Sequence, residues 1–398
     1  MHIDTVVARS IPDTRGRATI ETTLTTGTLS ATASVPSGKS TGSHEALELD
    51  AILAIENVRG EIARAIIGRD FNSADEIDAL LIELDGTPNK SHLGANAMLS
   101  VSIAAQRLFS LAEGVPLWRA IAQRAGTTPK APRLYVNVMN GGVHADFKLP
   151  FQEYMLVVEG KTGDAMSTAH ETFAKLGERL GDVPMGDEGG YAPTFDTLEK
   201  PFEILTELVK EFPGTSIAID AAASELFHDG SYLLLGKSYS AEELTTIYGS
   251  IVEHFPIHSI EDPFDEEAAD DFTRLTATLG DPSTPLRAGK ILIVGDDLTV
   301  TNPARIKEAA AHKEINAVLI KPNQIGTVKE ALEAVKETYT AGFAAIASHR
   351  SGETDDTFIA DFASGIGAHG IKAGGLGQKE RLEKYERLLA IEGEAEKS

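Results

Sequence analysis

The chain has 398 residues, enough for two domains or for a small one beside a large one. Sixty Asp and Glu against 36 Lys and Arg leave a formal charge of −24, which repels phosphate backbones and anionic membranes and disfavours a nucleic-acid binder. The absence of cysteine excludes disulfides, thiolate metal sites and a cysteine nucleophile, so any metal must sit on oxygen or imidazole.

Hydrophobic content of 42% is that of a chain that folds on its own. The start shows no basic segment followed by an apolar one, and no apolar run approaches bilayer length, so the cytoplasm is the expected setting. From Ala18 to Val35, β-formers alternate with small polar residues around Gly27, which predicts a hairpin. Ile52, Ile55, Ile62 and Ile66 keep helical spacing, and Ser73 with Glu76 has the form of a capping box opening a helix through Leu84. A further helix is expected from Ala95 to Ala112, with a shorter one around Trp118. These make a small α+β cap, residues 1–131, with a mobile loop at 36–44. Gly126 to Pro132 reads as a linker.

Beyond the linker, in residues 132–398, short apolar runs alternate with helix-length segments. Six runs end on an ionisable side chain: Asp220, Glu261, Asp296, Lys321, His349 and Lys372. The intervals of about 23 to 41 residues each hold a strand, a loop and a returning helix. Charged groups at the carboxyl ends of buried parallel strands predict a (β/α)8 barrel with its active face there. An open doubly wound sheet would gather polar groups at one switch point instead.

On neighbouring staves, Asp220, Glu261 and Asp296 bring three carboxylates to one point. Such a set needs a cation, and oxygen ligands suit Mg²⁺ better than zinc. The bland alternative is that each carboxylate caps the loop after its strand. Lys321 and Lys372 depress each other's pKa if they face a metal, so one can act as a base; as salt-bridge partners of the acids they are structural. Arg350-Ser351-Gly352 offers a donor fork and a hydroxyl to a phosphate oxygen, although such strings also occur in ordinary loops. Gly186-Asp187-Glu188-Gly189-Gly190 sets two acids in a glycine turn. Asn140-Gly141-Gly142-Val143-His144, followed by Gln152-Glu153, makes another turn with a histidine and a late carboxylate. Ser37-Gly38-Lys39-Ser40-Thr41-Gly42 lacks the spacing of a nucleotide-binding loop and reads as a lid. His254 and His258 are split by Pro256 and read as structural, while His369 joins no constellation.

Together these strings, with Ser259-Ile260-Glu261-Asp262-Pro263-Phe264, Lys321-Pro322-Asn323-Gln324-Ile325-Gly326-Thr327 and Ser348-His349-Arg350-Ser351-Gly352-Glu353-Thr354, resemble the enolase family over residues 9–391. The family's fold is an α+β cap on a barrel whose first strands depart from simple alternation. The resemblance implies Mg²⁺-dependent dehydration of 2-phosphoglycerate to phosphoenolpyruvate by a cytoplasmic homodimer. It implies that Asp220, Glu261 and Asp296 hold a first Mg²⁺, and that Ser40 helps to hold a second that enters with the substrate. Lys321 is then the base, which requires it to sit well below its usual value of about 10.4. Lys372 binds the substrate carboxylate. Glu188, supported by Glu153, is the acid for the departing hydroxide. Arg350 and Ser351 take the phosphate, His349 and His144 order substrate and lid, and Gln152 lies near the acid. Rival readings are a related dehydratase acting on another acid and a non-catalytic binding protein. The chain departs from the family after Asp50, where Ala51 enters its helix directly, and at its shorter carboxyl tail.

Overall fold

The structure is a computed structural model and describes residues 1–39, 42–280 and 291–397. The first part carries an antiparallel sheet, β1 (Thr5–Pro12), β2 (Ala18–Thr26) and β3 (Leu29–Ser34), and the helices α1 (Ala51–Asn57), α2 (Ala63–Ile66), α3 (Ala74–Asp85), α4 (Ala95–Glu113) and α5 (Leu117–Ala125). The expected hairpin is β2–β3, turning at Gly27 with φ +53°. Strand β1 was not expected. It alternates buried Val6 and Ala8 with exposed Thr5, Val7 and Arg9, and pairs along the whole of β2.

Two local expectations change. The helix through Ile52 to Ile66 is not continuous α: residues Val58–Ile62, around Gly60, form a π turn between α1 and α2. Ser73 does stand at the start of α3, but its hydroxyl makes no capping bond; Glu76 accepts from the backbone and side-chain amides of Asn72 instead. A reciprocal capping box occurs further on, where Ser240 and Glu243 open the helix at Ala241.

The remainder closes a barrel. Its strands are β4 (Arg133–Asn140), β5 (Glu153–Val158), β6 (Thr215–Asp220), β10 (Ile257–Glu261), β11 (Leu292–Gly295), β12 (Ala317–Ile320), β13 (Ala344–Ser348) and β14 (Gly370–Gly374). Between β6 and β10 lies a small sheet of β7 (Phe227–His228), β8 (Ser231–Leu234) and β9 (Lys237–Tyr239). The barrel helices are α6 (Thr162–Leu180), α7 (Lys200–Glu211), α8 (Ala241–His254), α9 (Ala269–Leu279), α10 (Pro303–His312), α11 (Val328–Thr340), α12 (Phe358–Gly365) and α13 (Lys379–Glu396). Strand β5 runs antiparallel to both β4 and β6, whereas the other neighbours are parallel.

The six predicted strands with ionisable ends are present, at β6 and β10–β14. Both faces of each are buried, so they read as apolar runs without alternation. An inner cluster of Tyr135, Met155, Val157, Ala218, Leu292, Val294, Leu319 and Ile346 fills the barrel lumen. The end of the barrel remote from the acids carries a pair not anticipated from the sequence. His258 and His369 stack at 5.5 Å with their Nε2 atoms 3.2 Å apart, and Arg133 donates to His369 Nδ1 at 3.4 Å.

Burial, then the Arg133 charge, pushes His258 down to about 4 and His369 down to about 3. Both are therefore neutral in the folded barrel. Their contribution to stability is complete above the unfolded histidine value of about 6.5 and is lost as pH falls through the folded values. We expect the thermal midpoint to drop between pH 6.5 and pH 4, and the drop to be smaller in His369→Asn; parallel melts of the two proteins over that range test this.

Candidate active site

The acids and lysines meet at the carboxyl ends of the barrel strands, where hydrogen-bonded neighbours bring side chains into register. Glu261 on β10 pairs with Asp220 on β6, and Asp220 in turn with Glu153 on β5. Reversal of β5 therefore puts its first residue, rather than its last, at the active end. Lys372 Nζ stands among all three acids, 2.9 Å from Glu153, Asp220 and Glu261 alike. All four side chains are buried. Burial disfavours the Lys372 ammonium, but Asp220, Glu153 and Glu261 hold it well above its ordinary value. Burial, then the neighbouring Asp220 charge, raises Glu261.

Asp296 has a different cation, Lys321, in direct contact, and its other oxygen accepts from Gln324 Nε2 at 2.9 Å. Burial lowers Lys321, but Asp296 more than offsets it and leaves the amine above its ordinary value. This is opposite to what the sequence reading requires of a base. The reason is local: the nearest charge to the amine is an anion, not a cation. Asp296 also belongs to a second acidic group. With Asp262 and Asp297 it offers ligand atoms within 4.8 Å of one another, and the Asp262 carboxylate accepts the backbone N–H groups of Asp296 (2.9 Å) and Asp297 (2.7 Å). The expected trio thus lies along one rim, divided between two lysines, with Asp262 as an acid that the sequence reading left unassigned.

Glu153 also faces Glu188, the two being bridged by Asn137, whose amide nitrogen is 3.0 Å from a carboxylate oxygen of each. Burial and the adjacent Glu188 charge hold Glu153 well above the usual carboxyl range. Burial opposes ionisation of Glu188 too, but His144 and His349 reverse its effect and hold Glu188 low. Of the two, Glu153 therefore has the higher proton affinity. His144 Nδ1 lies 3.5 Å from Glu188, and His349 Nε2 lies 3.9 Å from it. Burial, then Arg381, keeps His349 well below the usual histidine range.

Arg350 is fully engaged by Glu45 of the cap, at 2.9 and 3.0 Å, and Ser351 Oγ accepts from Arg15 Nη1 at 3.2 Å. The cap thereby closes over the phosphate-binding candidates. Lys39 reaches Asp187 at 2.6 Å and the Val143 carbonyl at 2.8 Å, across the two glycine turns. Ser40 lies outside the described residues. Asn137, Asp262, Glu45, Lys39 and Arg381 join the predicted residues; Asn137 and Asp262 stand in or beside strings that carried the resemblance, whereas Arg381 had no local signal.

A divalent cation fits this donor set. The acids supply only oxygen, and Gln152 Oε1 is buried without a hydrogen-bond partner beside Asp220. A larger groove, about 640 Å³, opens between α5 and α13, but its lining, from Trp118 to Ile391, holds none of these acids.

A closed barrel with paired acids and lysines at one mouth has the make-up of a cation-assisted acid–base enzyme. The sequence matches the family description "Enolase, C-terminal TIM barrel domain" over residues 130–398 and "Enolase, N-terminal domain" over residues 3–121. It is 43% identical to the enolase of Thermococcus gammatolerans over 99% of this chain and 95% of that one. The enolase of Methanopyrus kandleri is 42% identical over 98% of this chain and 95% of its own, and enolase B of Dictyostelium discoideum 40% identical over 100% and 96%. The chain belongs to the enolase family, and its reaction is dehydration of 2-phosphoglycerate to phosphoenolpyruvate.

Removing one member of a buried ion cluster leaves the others unpaired, at a cost of about 3–5 kcal/mol. Lys372→Met is expected to lose stability on that scale in urea unfolding, and Mg²⁺ is expected to restore part of the loss because it takes up the same carboxylates.

Proposed function

We propose that the residues of the barrel mouth divide the dehydration between a base side and an acid side. The observation that carries this reading is the placement of Lys321 on Asp296 and of Glu188 beside His144 and His349, with Asn137 joining Glu188 to Glu153 and Lys372 set between the two sides on Glu153, Asp220 and Glu261.

A proton beside a carboxylate is weakly acidic because its removal sets a second negative charge next to the first. Asp220, Glu261 and Asp296 would hold one magnesium ion and Ser40 would help to hold a second, and the ions would supply positive charge to offset the new anion. Lys321 is the base that takes the proton, for which its amine must be neutral. Lys372 holds the substrate carboxylate and stabilises the charge that gathers on its oxygens. Glu188 protonates the departing hydroxide from the pair's shared proton, which Glu153 stores. Arg350 exchanges Glu45 for the substrate phosphate, and Ser351 adds its hydroxyl. His349 and His144 orient the substrate and the lid, and Gln152 lies near the acid side. Retention of the phosphate ligands with both lysines and both acids favours 2-phosphoglycerate over an unphosphorylated acid, and catalysis over a merely binding role.

The same reading includes a homodimer and a cytoplasmic setting, as the family resemblance implies, with a cap of residues 1–131 and a barrel of residues 132–398. Among the described residues no helix is long and apolar enough to cross a membrane.

Formation of the enol phosphate is followed by its absorbance. Turnover is expected with Mg²⁺ and lost with a chelator. Lys321→Ala is expected to abolish exchange of the substrate's C2 hydrogen with solvent, and Glu188→Gln to block elimination while sparing exchange. Equal exchange in wild type and Lys321→Ala would assign the base elsewhere.

A further inference from the structure

Arg381 lies on the first turn of α13, one of the largest side chains with no solvent exposure at all. Its five N–H donors are accounted for without a carboxylate. Nε donates to Gln378 Oε1 at 2.6 Å. One terminal nitrogen contacts His349 Nδ1 closely and reaches the Arg350 carbonyl at 3.3 Å; the other donates to the carbonyls of Ser351 at 3.0 Å and Asp187 at 3.3 Å. A buried guanidinium spent on backbone carbonyls of two separate loops, with no ion-pair partner among the described residues, costs desolvation that a salt bridge would otherwise offset.

The chain makes room for this side chain. A Cβ on Gly374, the last residue of β14, would lie 2.4 Å from Arg381 Cδ and 2.7 Å from Nη1, and Gly374 has φ +88°. A Cβ on Gly375 would lie 2.3 Å from the Gly189 carbonyl, and the Gly375 N–H donates to the Glu188 carbonyl at 2.7 Å. The glycines after Lys372 thus let the arginine pass under β14 and let the acid-bearing turn rest on the same strand end. Gln378 adds a tie of its own, donating to the Asp187 carbonyl at 3.1 Å.

The bond to His349 also fixes a tautomer. Arginine can only donate, so His349 Nδ1 must be an acceptor and the ring proton must sit on Nε2, which faces Glu188.

We propose that Arg381 is a positioning residue for the dehydration: it fastens the 349–351 segment to the acid turn at 187–188 and presents His349 to the substrate as an Nε2–H donor. The proposal rests on the division of labour given above, and concerns its acid side only. Lys321 is on β12's end and makes no contact with the guanidinium. Loss of Arg381 therefore uncouples leaving-group departure from proton abstraction, where general loosening of the barrel would weaken both together.

The test compares two rates on the same protein, elimination from 2-phosphoglycerate by absorbance and C2 hydrogen exchange in D2O by NMR, both with Mg²⁺. A misplacement of the order of 1 Å costs roughly 10²-fold. In Arg381→Met elimination is expected to fall by about that factor, with KM raised, while exchange falls by less than about tenfold. Arg381→Lys, which keeps the charge and some donors, is expected to fall between Met and wild type. Gln378→Ala, a half-buried change, carries the test if Arg381→Met does not fold, with the same imbalance at smaller size. Equal losses of elimination and exchange in the soluble variants would overturn the proposal. Survival of exchange in Lys321→Ala would instead overturn the underlying assignment of the base, so the two failures are distinguishable.

Discussion

An ammonium group set among three buried carboxylates governs the arrangement of this molecule. Glu153, Asp220 and Glu261 come from three adjacent strands, and no fold could hold their charges together in a dry barrel mouth without a cation at equal reach of all three. Lys372 meets that need from β14, across the mouth. The strand register is thus constrained electrostatically as well as by packing: a slip of one residue on any of these strands would turn an acid into the lumen or the helix layer. The apolar lumen beneath, from Tyr135 to Ile346, supplies the rigid floor that keeps the acids from relaxing apart.

The same repulsion explains why the site has two distinct sides. Negative charge on the metal rim is met by lysines. Glu188 is met by two histidines and by the Arg381 charge, which hold it low, whereas burial and the Glu188 charge hold Glu153 high in spite of Lys372 beside it. Two carboxyls joined by one amide thereby differ in protonation through their surroundings alone. Glu153 is delivered by the first residue of β5, and Glu188 by a glycine turn that rests on the end of β14, where the Gly375 N–H donates to its carbonyl.

The sequence carried the active end of the barrel with unusual clarity because parallel strands buried on both faces read as apolar runs, and each terminates on the side chain that matters. Strands β4 and β5 escaped notice since their ends carry no such punctuation: Asn140 runs into a turn, and Glu153 begins its strand instead of ending it. That inversion is a matter of chain direction, invisible in composition. Strand β1 was missed because Pro12 and Asp13 close it and its polar face resembles a loop. The contact of Lys321 with Asp296 was not legible for a different reason: the sequence gives distances along the chain, and this one runs through space. Arg381 lies beyond any motif, and only the accounting of its donors in three dimensions exposes it.

The bond between Arg350 and Glu45 has a consequence for ligand affinity. Because the guanidinium already holds an oxyanion fork of its own chain, a phosphate bound there in the role proposed for Arg350 would displace an internal surrogate and would not enter a bare cationic hole. The free energy of docking is then a difference between two similar ion pairs, small by comparison with either, and the released glutamate is free to report the event to the cap. Such a trade favours turnover: a tight internal substitute helps to push the product's phosphate out as readily as the substrate's phosphate pushed it aside.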